Sequence, residues 1–239
     1  MEKIRCFGDT PIYIDYHDNE WGRPVHDDNK LFEMLILEGA QAGLSWITVL
    51  KKRAAYRKAF DGFAPQKVAL YDDAKIAELL ANEGIIRNRL KINAAIRNAK
   101  LFLEIVEKYG SFDKFIWEYV DYKPVVGRWE SFENMPITTE ISDRISRDLK
   151  KLGFKFVGST IIYSFMQAVG MVNDHLTSCC VFDEILEGQN PDNIYATDCL
   201  FQGVQVDRCA LYCYRLAVHY ADNGGQLPPD KQNWWNWKD

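Results

Sequence analysis

The chain has 239 residues, long for one domain and short for two full ones, and its hydrophobic fraction of 47% with seven tryptophans excludes a disordered chain. The net charge of −5 argues against a protein that coats nucleic acid nonspecifically, while leaving room for a local basic patch. No apolar run approaches membrane-spanning length, and "MEKIRC" leads into no apolar h-region, so the expectation is a soluble, cytoplasmic protein. Its six cysteines then read as metal ligands, catalysts or core rather than disulfides.

In chain order, "DDNKLFEMLILEGAQAGLSWITVLKKRAAYRKAF" starts at a good N-cap, Asp27 or Asp28, and reads as one or two helices. "DDAKIAELLANEG" follows, with Gly84 expected as its C-cap. "RNRLKINAAIRNAKLFLEIVEKYG" and "FDKFIWEYV" keep the helical period, and the stretch from Pro124 to Pro136 reads as an irregular connection. "TTEISDRISRDLKKLGF" is a helix stopped by Gly153, and "STIIYSFMQAVG" is one closed at Gly170. No strand alternation of useful length is found, so the class is all-α. The character changes after Glu187. "VQVDRCALYCYRLAVHYADNGG" places Val206, Cys209, Cys213, Leu216 and Tyr220 on one helical stripe, and the tail adds three tryptophans and two prolines. Residues 1–187 are therefore expected to form the main domain, with 188–239 an extension docked on it.

"NDHLTSCC" places His175 four residues before Cys179, with Cys180 adjacent. Near the amino terminus stand Cys6 and His17. Together Cys6, His17, His175 and Cys179 make a Cys₂His₂ set that suits tetrahedral zinc and leaves no open catalytic position. Each half taken alone reads equally as core, and Cys180 is the alternative ligand. Cys209 and Cys213 lie on an apolar stripe and read as core. A metal joining residues 6 and 179 would pin a terminus that otherwise frays.

On "LFEMLILEGAQAGLSW", Glu38 shares a stripe with Leu31, Met34, Leu35 and Ala42, while Glu33 falls on a more polar neighbouring stripe. Glu38 is either a helix-edge acid that reaches water or a partly buried carboxylate waiting for a donor or cation. Tyr13, Tyr16, Trp21 and Trp46 are near in sequence, a composition that suits a flat cationic ligand and equally an ordinary core. Arg87, Arg89 and Lys91 form one basic cluster. Lys150, Lys151 and Lys155 surround a glycine-bounded turn that opens a helix, a helix–hairpin–helix pattern whose amides suit a DNA phosphate.

"YHDNEWG", "LEGAQAGLSWITVLKKR" and "GFKFVGSTIIYSFMQAVGMVNDH", with the cysteine after them, resemble the bacterial 3-methyladenine DNA glycosylase I family. The likeness runs from Cys6 to about Cys180. It implies the all-helical fold of the helix–hairpin–helix glycosylases and hydrolysis of the N-glycosidic bond of 3-methyladenine in alkylated double-stranded DNA. It also implies a structural zinc on Cys6, His17, His175 and Cys179. Glu38 takes the family's base-recognition role and, by its charge, a catalytic one. Tyr13, Tyr16 and Trp46 line the pocket, and Gly43 and Leu44 form the wedge. Lys155 and Gly158 belong to the phosphate-holding hairpin. Phe7 stands where the family often has a tryptophan, Phe156 where many relatives have glycine, and Asn173, beside Asp174, where the superfamily has its catalytic aspartate. The cationic lesion leaves as a neutral base, so a weaker catalyst suffices. A noncatalytic binder of damaged DNA and a zinc hydrolase are the competing classes. No obligate protein partner is evident.

Overall fold

A computed structural model describes residues 4–189, 198–201 and 204–207. The chain divides into two compact units, Met1–Ile185 and Leu186–Asp239. The first is mainly helical: α1 Pro11–Asn19, α2 Asp28–Gln41, α3 Trp46–Ala59, α4 Pro65–Val68, α5 Asp73–Ala81, α6 Arg89–Tyr109, α7 Phe112–Trp117, α8 Glu140–Leu152 and α9 Ser159–Ala168. A tenth, α10, covers Phe182–Gln189 across the boundary. None of the described helices is long and apolar enough to cross a membrane.

Helix α2 is the centre of the first unit. Asp27 caps it, accepting from the Lys30 amide at 2.8 Å. Every residue from Leu31 to Ala40 is buried, so the helix is surrounded on all sides. Asp28, in its first turn, also reaches across to the first amides of α7, at 3.1 Å to Phe112 and 2.9 Å to Asp113. One carboxylate thus serves two positive helix ends. Around α2 the core continues through Phe32, Phe102 and Phe112, with the Phe102 and Phe112 rings stacked at 4.2 Å.

Helix α6, 21 residues and about 31 Å long, runs beside α2, capped by Asn88 and closed by Gly110 in the left-handed region. Helix α8 opens with a reciprocal Thr139–Ser142 capping box and closes on Gly153, whose φ is +102°. It packs on α9, which follows after the six residues 153–158. Past α9, Gly170 (φ +69°) lies so close to the Arg23–Pro24 backbone that a side-chain carbon there would sit 2.2 Å from it. That approach lets the Gly22 amide bond Gln167 O at 2.9 Å and the Val25 amide bond Val169 O at 3.0 Å. The amino-terminal segment is thereby laid against the end of α9.

Three readings of local structure change. Gly84 does not cap α5. The helix ends at Ala81 with Asn82 extended, and the Asn82 side chain accepts from the Gly84 amide at 2.8 Å instead. Short strands exist: β1 Val125–Val126 pairs in parallel with β2 Val172–Asn173, which anchors the otherwise irregular 124–136 segment. In the second unit, β3 Asp198–Phe201 pairs antiparallel with β4 Val204–Asp207, so Val206 is in a strand and not on a helix. "VQV" supplies β-branched residues at alternate positions, a two-residue period too short to register against the helical stripe that follows it. The remainder of that stripe and the tryptophan-rich tail lie outside the described residues.

Candidate active site and metal centre

Two buried polar sites share α1. Its Tyr16 and His17 are consecutive, so they point to different faces, one to each site.

His17 faces the cysteines. The ligand atoms of Cys6, His17, His175 and Cys179 all lie within 4.8 Å of one another. Cys179 Sγ is 3.4 Å from His17 Nε2 and 3.4 Å from His175 Nδ1, and Cys6 Sγ is 3.5 Å from the same Nδ1. Tetrahedral zinc, with Zn–S near 2.3 Å and Zn–N near 2.0–2.1 Å, requires neighbouring sulfur and nitrogen about 3.5 Å apart. The residues present fit that ion. The outer contacts fit as well. His17 Nδ1 is 2.7 Å from Asp18 Oδ1, and His175 Nε2 is 3.0 Å from Trp21 O, so each imidazole has its second nitrogen fixed by an acceptor. Asp18 is held down to about 2, first by its hydrogen bonds from Arg5. The Leu176 amide donates to Cys6 Sγ at 3.2 Å, and hydrogen bonds from Cys6, His17 and His175 pull the Cys179 thiol well below its ordinary range. Cys180 is exposed and is not a member of the cluster. Trp21 belongs here too, 4.5 Å from the His175 ring and 4.9 Å from Phe7, rather than around the acid.

Tyr16 faces the acid. Its ring centroid is 5.3 Å from that of Trp46. Glu38 is 4% exposed, and none of the hydrogen bonds or ion pairs of the described residues involves its carboxyl group. Burial pushes it up to about 8, with Arg53 pulling the other way. The bland alternative, an acid at a wet helix edge, is therefore not what the fold builds. The Tyr13 and Tyr16 hydroxyls are both raised, first by burial and then partly by Glu38, which places the carboxylate within electrostatic reach of each. The Trp46 indole N–H is also buried without an acceptor among the described residues. A buried acid and a buried donor, both unpaired, mark a place shaped for something else. Phe7 lies 5.0 Å from Tyr13 and 4.8 Å from His17, between the two sites.

Glu33 stands in contrast. Its place on the polar stripe predicts exposure, yet it is buried, and its Oε1 takes two arginine bonds. Arg53 and Arg57 both donate to it, the latter at 2.9 Å, while Arg53 also grips Glu20 with two bonds of 2.8 and 2.9 Å. Spacing alone did not reveal Arg53, because an arginine on an amphipathic helix ordinarily reaches water.

Gly43 and Leu44, the expected wedge, lie between α2 and α3. Gly43 takes a φ of +79°, and Leu44 is 42% exposed. Lys91, one of the basic cluster, is half-buried and donates to Ala40 O at 2.8 Å and Ala42 O at 2.7 Å. It fastens the end of α2 just before the wedge rather than presenting its charge outward. In the hairpin, Lys155 is exposed while Asn98 holds its backbone at both ends, 2.9 Å to the amide and 2.9 Å to the carbonyl. Gly158 opens α9 with nothing near its α-carbon. Phe156 adopts the left-handed conformation, φ +55°, that glycine takes more easily. Its Cβ rests against Gly39, where a side-chain carbon would stand 3.2 Å away, so the hairpin touches α2 one residue from Glu38. Asn173 and Asp174 are buried and spoken for. Asn173 accepts from the His175 amide, and Asp174 accepts from Trp129, Tyr163 and Gln167 at 2.7, 2.5 and 2.9 Å.

Residues 6–182 match the family model described as methyladenine glycosylase. The chain belongs to that family. A protein of Escherichia coli K12, DNA-3-methyladenine glycosylase 1, is 50% identical over 182 residues, covering 76% of this chain and 97% of that protein. A crystal structure of a 3-methyladenine DNA glycosylase I is 52% identical with a TM-score of 0.72, covering 74% of this chain and 98% of that one. The Staphylococcus aureus 3-methyladenine DNA glycosylase I, solved for the structural basis of 3-methyladenine recognition, is 39% identical with a TM-score of 0.72, covering 73% and 93%. Residues 179–239 match a different family model, described as pathogenicity locus.

Proposed function

We propose that this protein is a DNA-3-methyladenine glycosylase that removes 3-methyladenine from alkylated duplex DNA and leaves an abasic site. The carrying observation is Glu38: a buried carboxyl group without a partner, beside Tyr16 and Trp46, in a chain of the methyladenine glycosylase family.

The lesion base is cationic and must leave the stack to be read, at a cost of roughly a few kcal/mol. In the empty pocket Glu38, at about 8, holds its proton at neutral pH. A cationic ring entering beside it favours the carboxylate, so the proton leaves as the lesion binds. Normal adenine is neutral and offers no such compensation for ionising a buried acid, which is the basis of discrimination. The same negative charge stabilises positive charge that develops on the sugar as the C1′–N9 bond breaks. The base leaves neutral with the bonding pair, and water adds at C1′ with loss of a proton. Tyr13, Tyr16, Trp46 and Phe7 supply the aromatic walls. Leu44 fills the gap left in the stack, and the hairpin amides with Lys155 and Gly158 hold phosphate.

Cys6, His17, His175 and Cys179 would hold a structural zinc. Four protein ligands leave no position for a reacting water, so the ion's contribution is to the fold. Residues 188–239 are read as an appended extension, and this chemistry is assigned to the residues before it. The decisive experiment is chromatographic detection of free 3-methyladenine released from methylated DNA. DNA binding without release would leave the protein a noncatalytic recogniser of damage.

A further inference from the structure

The amino-terminal half of α6 carries an exposed face that neither the wedge, the pocket nor the metal explains. Leu90, Asn93 and Arg97, spaced by three and four residues, lie on one side of the helix and are all exposed, Leu90 by 71%. They line a surface groove of about 370 Å³ together with Ala94, Lys155 and Phe156. No carboxylate lines it. The sequence here, "RNRLKINAAIRNAK", residues 87–100, has five cations and no acid in a protein of net charge −5.

Both ends of this face are tied to elements with assigned roles. From the turn that bears Leu90, Lys91 bonds the carbonyls of Ala40 and Ala42, next to Gly43 and Leu44. From the turn that bears Arg97, the Arg97 guanidinium bonds Gly153 O at 2.7 Å and Asn98 clamps Lys155. The face therefore runs from the wedge loop to the hairpin. Leu90 to Arg97 spans about 10.5 Å of helix, which matches about three base-pair steps of duplex. Leu90, Ala94 and Phe156 give it an apolar floor suited to deoxyribose, and Arg97 and Lys155 give it cations suited to phosphate.

We infer that the Leu90–Asn93–Arg97 face of α6 is a track for the DNA backbone, joining the hairpin's phosphate contacts to the wedge across about three base-pair steps. This rests on the glycosylase reading for the choice of DNA as ligand, but binding can be measured without catalysis. The test places a negative charge in the track. Asn93→Glu should keep the fold and the affinity for free 3-methyladenine, while weakening binding to undamaged and alkylated duplex alike by tenfold or more at low salt. The control is Lys108→Gln, an equal change in net charge on the same helix about 22 Å further along. It should leave duplex binding within twofold. Duplex affinities are read by fluorescence anisotropy across a salt series, with circular dichroism to verify folding. Unchanged duplex binding in Asn93→Glu would overturn the assignment, and so would equal weakening by both variants, which would show only the effect of net charge. If the wild type bound duplex but released no base, the glycosylase reading would fail while the track stood.

Discussion

The Cys6–His17–His175–Cys179 cluster and the surroundings of Glu38 are both largely buried, polar and built partly from α1, yet they are finished differently. At the cluster every donor and acceptor has a partner: sulfur against imidazole, imidazole against Asp18 or the Trp21 carbonyl, Asp18 against Arg5. Around Tyr16, the Trp46 indole N–H is buried with no hydrogen-bond partner among the described residues, and the buried Glu38 takes part in none of their hydrogen bonds or ion pairs. Paired polar groups in a core contribute order, whereas unpaired ones cost stability and persist where a ligand completes them. The same contrast separates two acids five residues apart on α2. Glu33 accepts from both Arg53 and Arg57, and Glu38 has only an electrostatic influence from Arg53. The first reads as architecture and the second as chemistry.

The largest effect should come from breaking the finished site. Cys179→Ala removes one of four ligands, and metal binding is linked to folding. Zinc content should fall from one per chain to none, with a stability loss of at least about 3 kcal/mol and a melting temperature lower by on the order of 10 °C. Because Tyr16 and His17 are neighbours on α1 and Phe7 touches both Tyr13 and His17, base release should fall as well. Plasma emission on the purified native protein reads the metal. A wild-type preparation without zinc would remove the basis of the comparison, and zinc kept by the variant would move the fourth ligand to Cys180.

Breaking the unfinished site should do the reverse. Glu38→Gln keeps the size and removes the charge, so single-turnover excision should fall by roughly ten- to a hundredfold, about 1.5–3 kcal/mol, with zinc content unchanged. The pH dependence sharpens this. Glu38 is raised from 4.5 to about 8 in the folded state, so the fold prefers its protonated form. Stability is then undiminished below about pH 4.5 and declines as pH rises toward 8, where the unfolded chain carries the charge more easily. The variant should therefore match the wild type in unfolding free energy near pH 4.5 and exceed it increasingly up to pH 8, by a few kcal/mol. In wild type, kcat/KM on alkylated DNA should climb from pH 6 to 8 and then level, and this limb should vanish in Glu38→Gln. Superimposable melting curves for the two proteins across that range would show that the fold does not disfavour the Glu38 charge.

A smaller effect separates reading the base from reaching it. Leu44 is 42% exposed on a loop fastened by Lys91 and makes no part of the buried pocket. Leu44→Ala should slow excision from duplex by about tenfold, the scale of losing support for one unstacked step, and leave affinity for free 3-methyladenine unchanged. Calorimetry with the free base and single-turnover kinetics on duplex give the two numbers. Equal losses in both would place Leu44 in the pocket wall instead.

Helical periodicity and glycine stops located most helices of the first unit, because the burial of α2, α6, α8 and α9 is written in their spacing. The cluster was legible for a different reason: spacing alone left a core reading and Cys180 open, and the family resemblance pointed to the four residues that meet. Arg53, Lys91 and Asn98 were not legible. Each lies in a run of similar residues, and only the tertiary contact distinguishes a cation that fastens a carbonyl from one that faces water. The β3–β4 strands were missed because four-residue strands carry too little period to outweigh the helical pattern beside them. Asp174 is engaged by Trp129, Tyr163 and Gln167, contacts that sequence spacing could not display.

The smallest expected effect lies at the hairpin, where side chain and backbone have separate duties. The Lys155 side chain is exposed, and its backbone is held by Asn98 whatever side chain it carries. Lys155→Ala should therefore leave the turn and Phe156 in place and remove one cation. One lost phosphate contact lowers the slope of log K against log salt by about 0.9 and weakens binding only severalfold at low salt. Since phosphate carries no sequence information, undamaged and alkylated duplex should weaken by the same factor, and the excision rate at saturating enzyme should not change. A loss confined to alkylated DNA would mean that Lys155 senses the lesion. The hairpin would then belong with Glu38 among the groups left unpaired for the ligand, and the division between finished architecture and open chemistry would have to be drawn elsewhere.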